Sequence, residues 1–350
     1  MLYRINETLN LKIILNAETK YFKKFIFVAL PKNAMKIFLF FILLPMLVIS
    51  QDTLSGVEEL LNQKQYRSAE HIAKAYLKNN PNQLKAMELL GDAHGYQAHW
   101  DDAIVMYKAL VNAKPNNANY QYKYGGAMGM KALENKFKAV GFIGDIKAAF
   151  TKAAELDKNH VEVRWALVEF YMQLPGIFGG SKEKSLKYAE ELETLSKVDG
   201  YLAKGYIYEY DNEEALAETY YKKAINLGGS LTCYDKLATF YENKKKPKNA
   251  LQTIEEAQKK HNRNALHYQI GKVAAEYNIE LDKGEKCLYT YLTNYSAKDG
   301  VPKAWAHYRL AQIHTYRHNK AKALQHINLA LEELPKIKPF KLQKEKILQL

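Results

Sequence analysis

Gly176-Ile177-Phe178-Gly179-Gly180-Ser181-Lys182 has the composition of a phosphate cradle. Glycines let backbone N–H groups approach an anion, and a following helix adds the positive end of its dipole. A nucleotide loop, however, reads G-x-x-x-x-G-K-[ST] and follows a strand. Here Ser181 precedes Lys182 and the flanking text is helical, so a nucleotide loop is excluded. Ser181 reads instead as the N-cap of a helix from Lys182 to Leu195, with an anion resting on that helix start as the alternative. The second candidate is His307, His314, His318 and His326. His314 and His318 are spaced i,i+4, as two metal ligands on one helical face would be. No glutamate completes an H-E-x-x-H and no cysteine is close, so packing between helices is the expected role. There is no G-x-S-x-G and no carboxylate pair with catalytic spacing. The expectation is a protein that is not an enzyme, with no catalytic residue, no cofactor and no metal site. An enzyme or metal protein using the histidines is the rival.

The elements around these residues recur. Gly91 is followed by Ala103, Tyr107 and Pro115 at offsets of 12, 16 and 24. Tyr208, Ala217, Tyr221 and Ala224 follow Gly205 at 3, 12, 16 and 19. Tyr241, Ala250 and Ala257 follow Ala238 at 3, 12 and 19, and Ala323, Ala330 and Pro335 follow Ala311 at 12, 19 and 24. Small residues at two fixed places let a pair of antiparallel helices approach, larger ones fill the space around them, and proline stops the second helix. A single hairpin cannot bury its own apolar face, so such units must stack. These registers resemble the tetratricopeptide repeat, whose period is 34 residues. The resemblance covers nearly everything from 52 to 336.

It implies an all-α, right-handed superhelical solenoid of about eight helix-turn-helix hairpins. The units start near Asp52, Leu84, Ala118, Val161, Val198, Leu231, Asn264 and Ala304. The second, fifth, sixth and eighth match the pattern well. The first lacks the Leu-Gly pair, the seventh has Gly284 after a one-residue slip, and the third and fourth carry insertions. Residues 337–350 read as a terminal capping helix, with a membrane-surface helix as the alternative. The insertions are Gly141-Phe142-Ile143-Gly144-Asp145-Ile146-Lys147 and, 35 residues on, the stretch at Gly176. The P-G-I-x-G-G-S form of the second is similar to an insertion in some exported bacterial members of the family.

Composition fits a folded chain: 47% apolar and 25% charged residues, with 26 tyrosines. The formal charge is +13, but residues 1–50 hold seven Lys/Arg against two Asp/Glu, leaving +8 on the rest. The basic residues are scattered, Lys244-Lys245-Lys246 being the longest run, and no nucleic-acid-binding signature accompanies them. No nucleic-acid partner is expected. Met35-Lys36, an uncharged run from Ile37 to Ile49, and Val48-x-Ser50 have the layout of a signal peptide. That run is shorter than the ~20 residues of a membrane span. The expected organisation is a non-native upstream extension at 1–34, a signal peptide at 35–50, a solenoid at 51–336 and the cap. Gln51 would be the first mature residue of a chain without an integral membrane span, exported to the periplasm or cell envelope or secreted. An uncleaved anchor is the alternative. Cys233 and Cys287 are too few for a disulfide framework and read as buried free thiols.

In the resembled family the first helix of each hairpin lines a concave surface. By register those positions here include Glu88, Asp92, Tyr96, Tyr122, Trp165, Glu169, Tyr206, Tyr210, Asp235, Tyr268, Trp305, Tyr308 and Tyr316. Aromatic rings offer large contact area at small entropic cost; packing against neighbouring helices is the competing role for any one of them. The Lys, Asn and Arg of the two-carboxylate clamp found in some members are missing. The resemblance therefore implies a scaffold binding a protein or peptide in its groove. The alternative is a subunit of a cell-envelope assembly docking through the two adjacent loops, by Phe142, Ile143, Ile177 and Phe178.

Overall fold

The computed structural model describes residues 53–134 and 140–350. The proposed extension, signal peptide, cleavage point and first-unit start at Asp52 lie outside the described residues. Among the described residues every regular element is helical, and the chain divides into two compact units, to Pro115 and from Asn116. The first holds helices α1 (53–62), α2 (Tyr66–Asn79), α3 (Leu84–Tyr96) and α4 (Trp100–Ala113). The second holds α5 (Ala118–Glu134), α6 (Ile143–Leu156), α7 (Val161–Gln173), α8 (Lys182–Leu195), α9 (Lys197–Tyr210) and α10 (Glu214–Leu227). It continues with α11 (Leu231–Asn243), α12 (Pro247–His261), α13 (Asn264–Tyr277), α14 (Leu281–Thr293), α15 (Lys303–Tyr316), α16 (Lys320–Glu333) and α17 (Lys338–Leu348). Paired in order, these make eight hairpins and a terminal helix.

The repeating letters have a direct steric cause. A Cβ placed on Gly91 would lie 2.6 Å from the Tyr107 ring, and one on Gly205 2.6 Å from the Tyr221 ring. Each tyrosine is sixteen residues on, across the hairpin, so the glycine makes room for the large residue that fills the interhelical seam. In the third hairpin the same contact is between Gly125 and Phe150, at 2.8 Å, after the insertion has lengthened the spacing. The hairpin turn is equally regular. Lys64, Ala98, Asn212, Lys245, Asn278 and His318 all take positive φ. In each case the next residue's N–H bonds the carbonyl five residues before it, for instance Glu213 to Tyr208 and Asn319 to His314. That is a left-handed C-cap, used here mostly without glycine.

Within the second unit, consecutive first helices touch one another (α7 with α9, α9 with α11, α13 with α15), forming one layer. Bonds between neighbouring hairpins recur at the repeat length: Trp165 Nε1 donates to Asp199 and Asn243 Nδ2 to Glu209, each 34 residues apart. These features make the fold a tetratricopeptide-like helical repeat. Its core is continuous across hairpin boundaries; Leu202, Tyr221, Cys233, Leu237 and Phe240 form one cluster spanning α9 to α11. At the C-terminal end Phe340 of α17 is fully buried against Trp305 and Tyr308 of α15, closing the last apolar face. No helix among the described residues is long and apolar enough to cross a membrane.

Several of the scattered basic residues find partners in the preceding hairpin, and others within their own. Lys244 and Lys246 of the lysine run reach Glu214 at 3.7 and 2.8 Å, and Lys272 reaches Glu242 at 2.8 Å. Arg164, buried, pairs with Glu191 at 3.0 Å and donates to the carbonyls of Asp157 and His160. Cys233 is buried as expected, but Cys287 is only partly covered. It packs beside Leu251 and Ile254 of α12; burial raises its thiol pKa, and the nearby Glu255 carboxylate raises it further.

Candidate functional site

The glycine stretch is a turn whose backbone needs Gly179 and Gly180. Pro175 O accepts from both Phe178 N and Gly180 N, and Ser181 N returns to Tyr171 O at 2.9 Å. Gly179 has φ +94°, and a Cβ on Gly180 would overlap the Leu174 carbonyl. Ser181 caps α8, its Oγ accepting from Lys184 N at 3.2 Å, while Lys182 bridges Asp211 and Glu213 of the next hairpin. Hydroxyl and ammonium are thus committed to structure rather than aimed at a phosphate. The earlier loop forms a 3-10 turn, Val140–Phe142, in which Phe142 and Ile143 are half-buried. In the later one Ile177 is 88% exposed and Phe178 is also exposed. Both occupy the turn between first and second helix of consecutive hairpins.

The register positions on the first helices divide into three groups. Asp92 accepts from Tyr107 OH at 2.7 Å, while Tyr96 is exposed with its ring stacked on Tyr66; both belong to the first unit. Glu88, also in that unit, is half-buried. In the second unit several aromatics are structural. Tyr268 is 6% exposed and packs with Leu288 and Tyr291 in the core, so it offers no ring to a ligand. Trp165 is bonded to Asp199 and packed between two core clusters, and Trp305 and Tyr308 lie under Phe340. Tyr122 is partly covered by Phe150 and His160.

What faces solvent is Glu169 on α7, Tyr210 on α9, Asp235 on α11 and, further on, Tyr316, with Tyr206 half-buried against the core one turn before Tyr210. Tyr206 and Tyr210 lie one helical turn apart with ring centroids at 6.1 Å, and Gln173 donates to Tyr206 OH at 3.2 Å. Tyr210 is 50% exposed. The Glu169 carboxylate is accessible, yet surrounding protein removes enough water to raise its pKa, against a weaker opposing pull from Lys236. The face continues into a cavity of about 890 Å³ lined by α11 and α13, with Asp235, Thr239, Glu242, Arg263, Gln269 and Lys272 on its wall. Charges of both signs and apolar Leu231, Ala238 and Leu266 share it, as fits a polypeptide better than a small apolar ligand.

The histidines assemble differently from the i,i+4 spacing. His318 sits in the left-handed turn and is exposed. His326, from α16, is instead sandwiched between His307 and His314, with ring centroids at 5.4 and 5.5 Å. His326 also contacts Tyr289 OH at 3.1 Å and His307 Nδ1 at 3.2 Å. Burial lowers the pKa of all three, that of His326 to about 4. The sequence placed His307 and His314 between helices; it could not show that His326, on the partner helix, completes the stack.

Neither a protein-family model nor a curated protein matches the chain. Among solved structures it is similar to a tetratricopeptide repeat protein from Parabacteroides merdae, at 12% identity over 85% of this chain and 98% of that one, TM-score 0.47. It is similar to a chain of the APC/C hetero-tetramer Cut9–Hcn1, at 15% identity over 85% of this chain and 55% of that one, TM-score 0.43. It is also similar to YrrB, a TPR protein with an unusual peptide-binding site, at 21% identity over 56% of this chain and 98% of that one, TM-score 0.39.

Proposed function

We propose that this chain is a non-catalytic, exported scaffold that binds a protein or peptide along the first helices of its hairpins. The observation that carries the reading is the face on α7, α9 and α11 that carries exposed Glu169, the exposed Tyr210 ring beside the half-buried Tyr206, and Asp235 on the wall of the adjoining cavity. An extended or helical segment bearing Lys or Arg would stack its stem on the tyrosines and pair its charge with Glu169 or Asp235. Export rests on the signal-like segment at 35–50.

A second reading is favoured by one feature, the exposed Ile177 and Phe178 at the tip of the inserted loop. In that reading the chain is a subunit of an envelope assembly docking through its loop edge. In-cell crosslinking and mass spectrometry of tagged full-length protein separates the two. The groove variant is Glu169→Lys with Tyr206→Ala and Tyr210→Ala, all at exposed or half-exposed positions; the loop variant is Ile177→Asp with Phe178→Asp. Loss of a discrete partner set from the groove variant alone supports the scaffold. Loss from the loop variant alone supports the assembly subunit and overturns the groove. The same spectra identify the mature N-terminus, expected at Gln51.

A further inference from the structure

The first unit brings together three metal-ligating side chains that its sequence keeps apart. Glu70 lies on α2, His94 at the end of α3, and His99 in the turn beyond. Their ligand-capable atoms all fall within 4.8 Å of one another. The local fold forces the meeting. Ala98 takes φ +58° and His99 N–H donates to His94 O at 3.0 Å, which curls the turn back over the helix end. Tyr66 stacks on Tyr96 at 4.8 Å, holding the start of α2 against the end of α3, and Glu70 follows one turn later.

Two details make this more than a chance cluster. His94 is 3% exposed, yet its Nδ1 has no hydrogen-bond partner among the described residues and lies 4.0 Å from Glu70 Oε1. A buried ring nitrogen without a partner is costly unless something else occupies its lone pair. The Glu70 carboxylate is already oriented: Gln97 Nε2 donates to Oε2 at 2.7 Å while also bonding Ala93 O, leaving Oε1 toward the histidines. That is the outer support a metal-binding carboxylate needs. Oε1 currently receives the ammonium of Lys74 at 2.5 Å, so the position already attracts a cation, and Lys74 is half-exposed and free to swing away.

We infer that Glu70, His94 and His99 form a binding site for a divalent transition metal, fitted best to Zn²⁺. Two imidazoles and one carboxylate are a common zinc donor set, with water as fourth ligand on the exposed His99 side. Bonds of about 2.0–2.1 Å require ligand atoms to close by roughly 1 Å, which the exposed His99 and the side chain of Glu70 can supply.

The test is calorimetric titration of EDTA-stripped full-length protein with ZnCl₂ against a competing chelator. One equivalent is expected to bind. Glu70→Gln and His99→Ala are each expected to weaken it at least about tenfold, and Lys74→Met, which removes the competing ammonium, to tighten it. His99 is exposed and makes no side-chain cap bond, so its variant should keep the metal-free melting temperature. His307→Ala should retain the full equivalent. No zinc binding would overturn the site, as would binding equally tight in Glu70→Gln and His99→Ala.

Discussion

Burial keeps the stacked imidazoles of His307, His326 and His314 uncharged, and this sets a pH dependence for folding. In the unfolded chain each takes up a proton as pH falls through about 6.5. The folded His326 does so only near 4, held down first by desolvation and then by its two neighbours' charge. Stability contributed by the neutral stack is therefore complete above about pH 6.5 and declines as pH falls from there towards 4. For His326 alone the loss is about 3 kcal/mol. Urea denaturation at pH 7.5 and 4.5 should show it, and His326→Phe should flatten the difference while carboxylate titration elsewhere continues. Glycines give a second residue-scale contrast. Gly205→Ala drives a methyl into Tyr221 and is expected to cost about 1–3 kcal/mol. Gly126→Ala, with nothing within 4 Å of the added carbon, should instead stabilise by about 0.5–1 kcal/mol. The close approach of the first was legible in the offset of sixteen between Gly205 and Tyr221. The histidine stack was not, because it joins residues on two helices whose relative rotation no local spacing records.

Among the elements, α17 carries the clearest consequence. Its Phe340 fills the end of the last hairpin against Trp305, Tyr308 and Ile327. Gln343 ties it down through Thr315, and Lys320 reaches back to Leu348 O. Phe340→Ala is expected to cost about 3–5 kcal/mol and to expose apolar surface on α15 and α16, seen as a lower melting temperature. Hairpin starts were readable because small and large residues recur at offsets fixed by helix geometry; α3, α5, α7, α11 and α13 begin at Leu84, Ala118, Val161, Leu231 and Asn264. The aromatic lining was readable only in part. A register position says that Trp165, Tyr268 or Trp305 lies on the first helix's inner side. It does not say whether the next hairpin, or the cap, covers the ring. Asp199 holds Trp165, Tyr291 covers Tyr268, and Phe340 covers Trp305.

At the scale of the second unit, repetition explains stability and leaves a face for the proposed binding. Ion pairs and hydrogen bonds from one hairpin to the next recur near the repeat length, so each hairpin is held by its neighbours as well as by its own helix pair. That leaves exposed side chains of the first helices, Glu169, Tyr210 and Asp235, free to serve the proposed ligand without weakening the array. Substituting Glu169, Tyr210 or Asp235 should change stability by no more than about 0.5 kcal/mol each, as for ordinary surface positions, whereas Trp165→Ala and, less so, Tyr206→Ala remove core packing and should unfold more readily. Hydrogen–deuterium exchange of the full chain, with and without its captured partner, tests the central claim most directly. The account expects partner-dependent protection on Val161–Gln173, Lys197–Tyr210 and Leu231–Asn243, with the two inserted loops unchanged. Protection confined to residues 140–142 and 175–180 would contradict it.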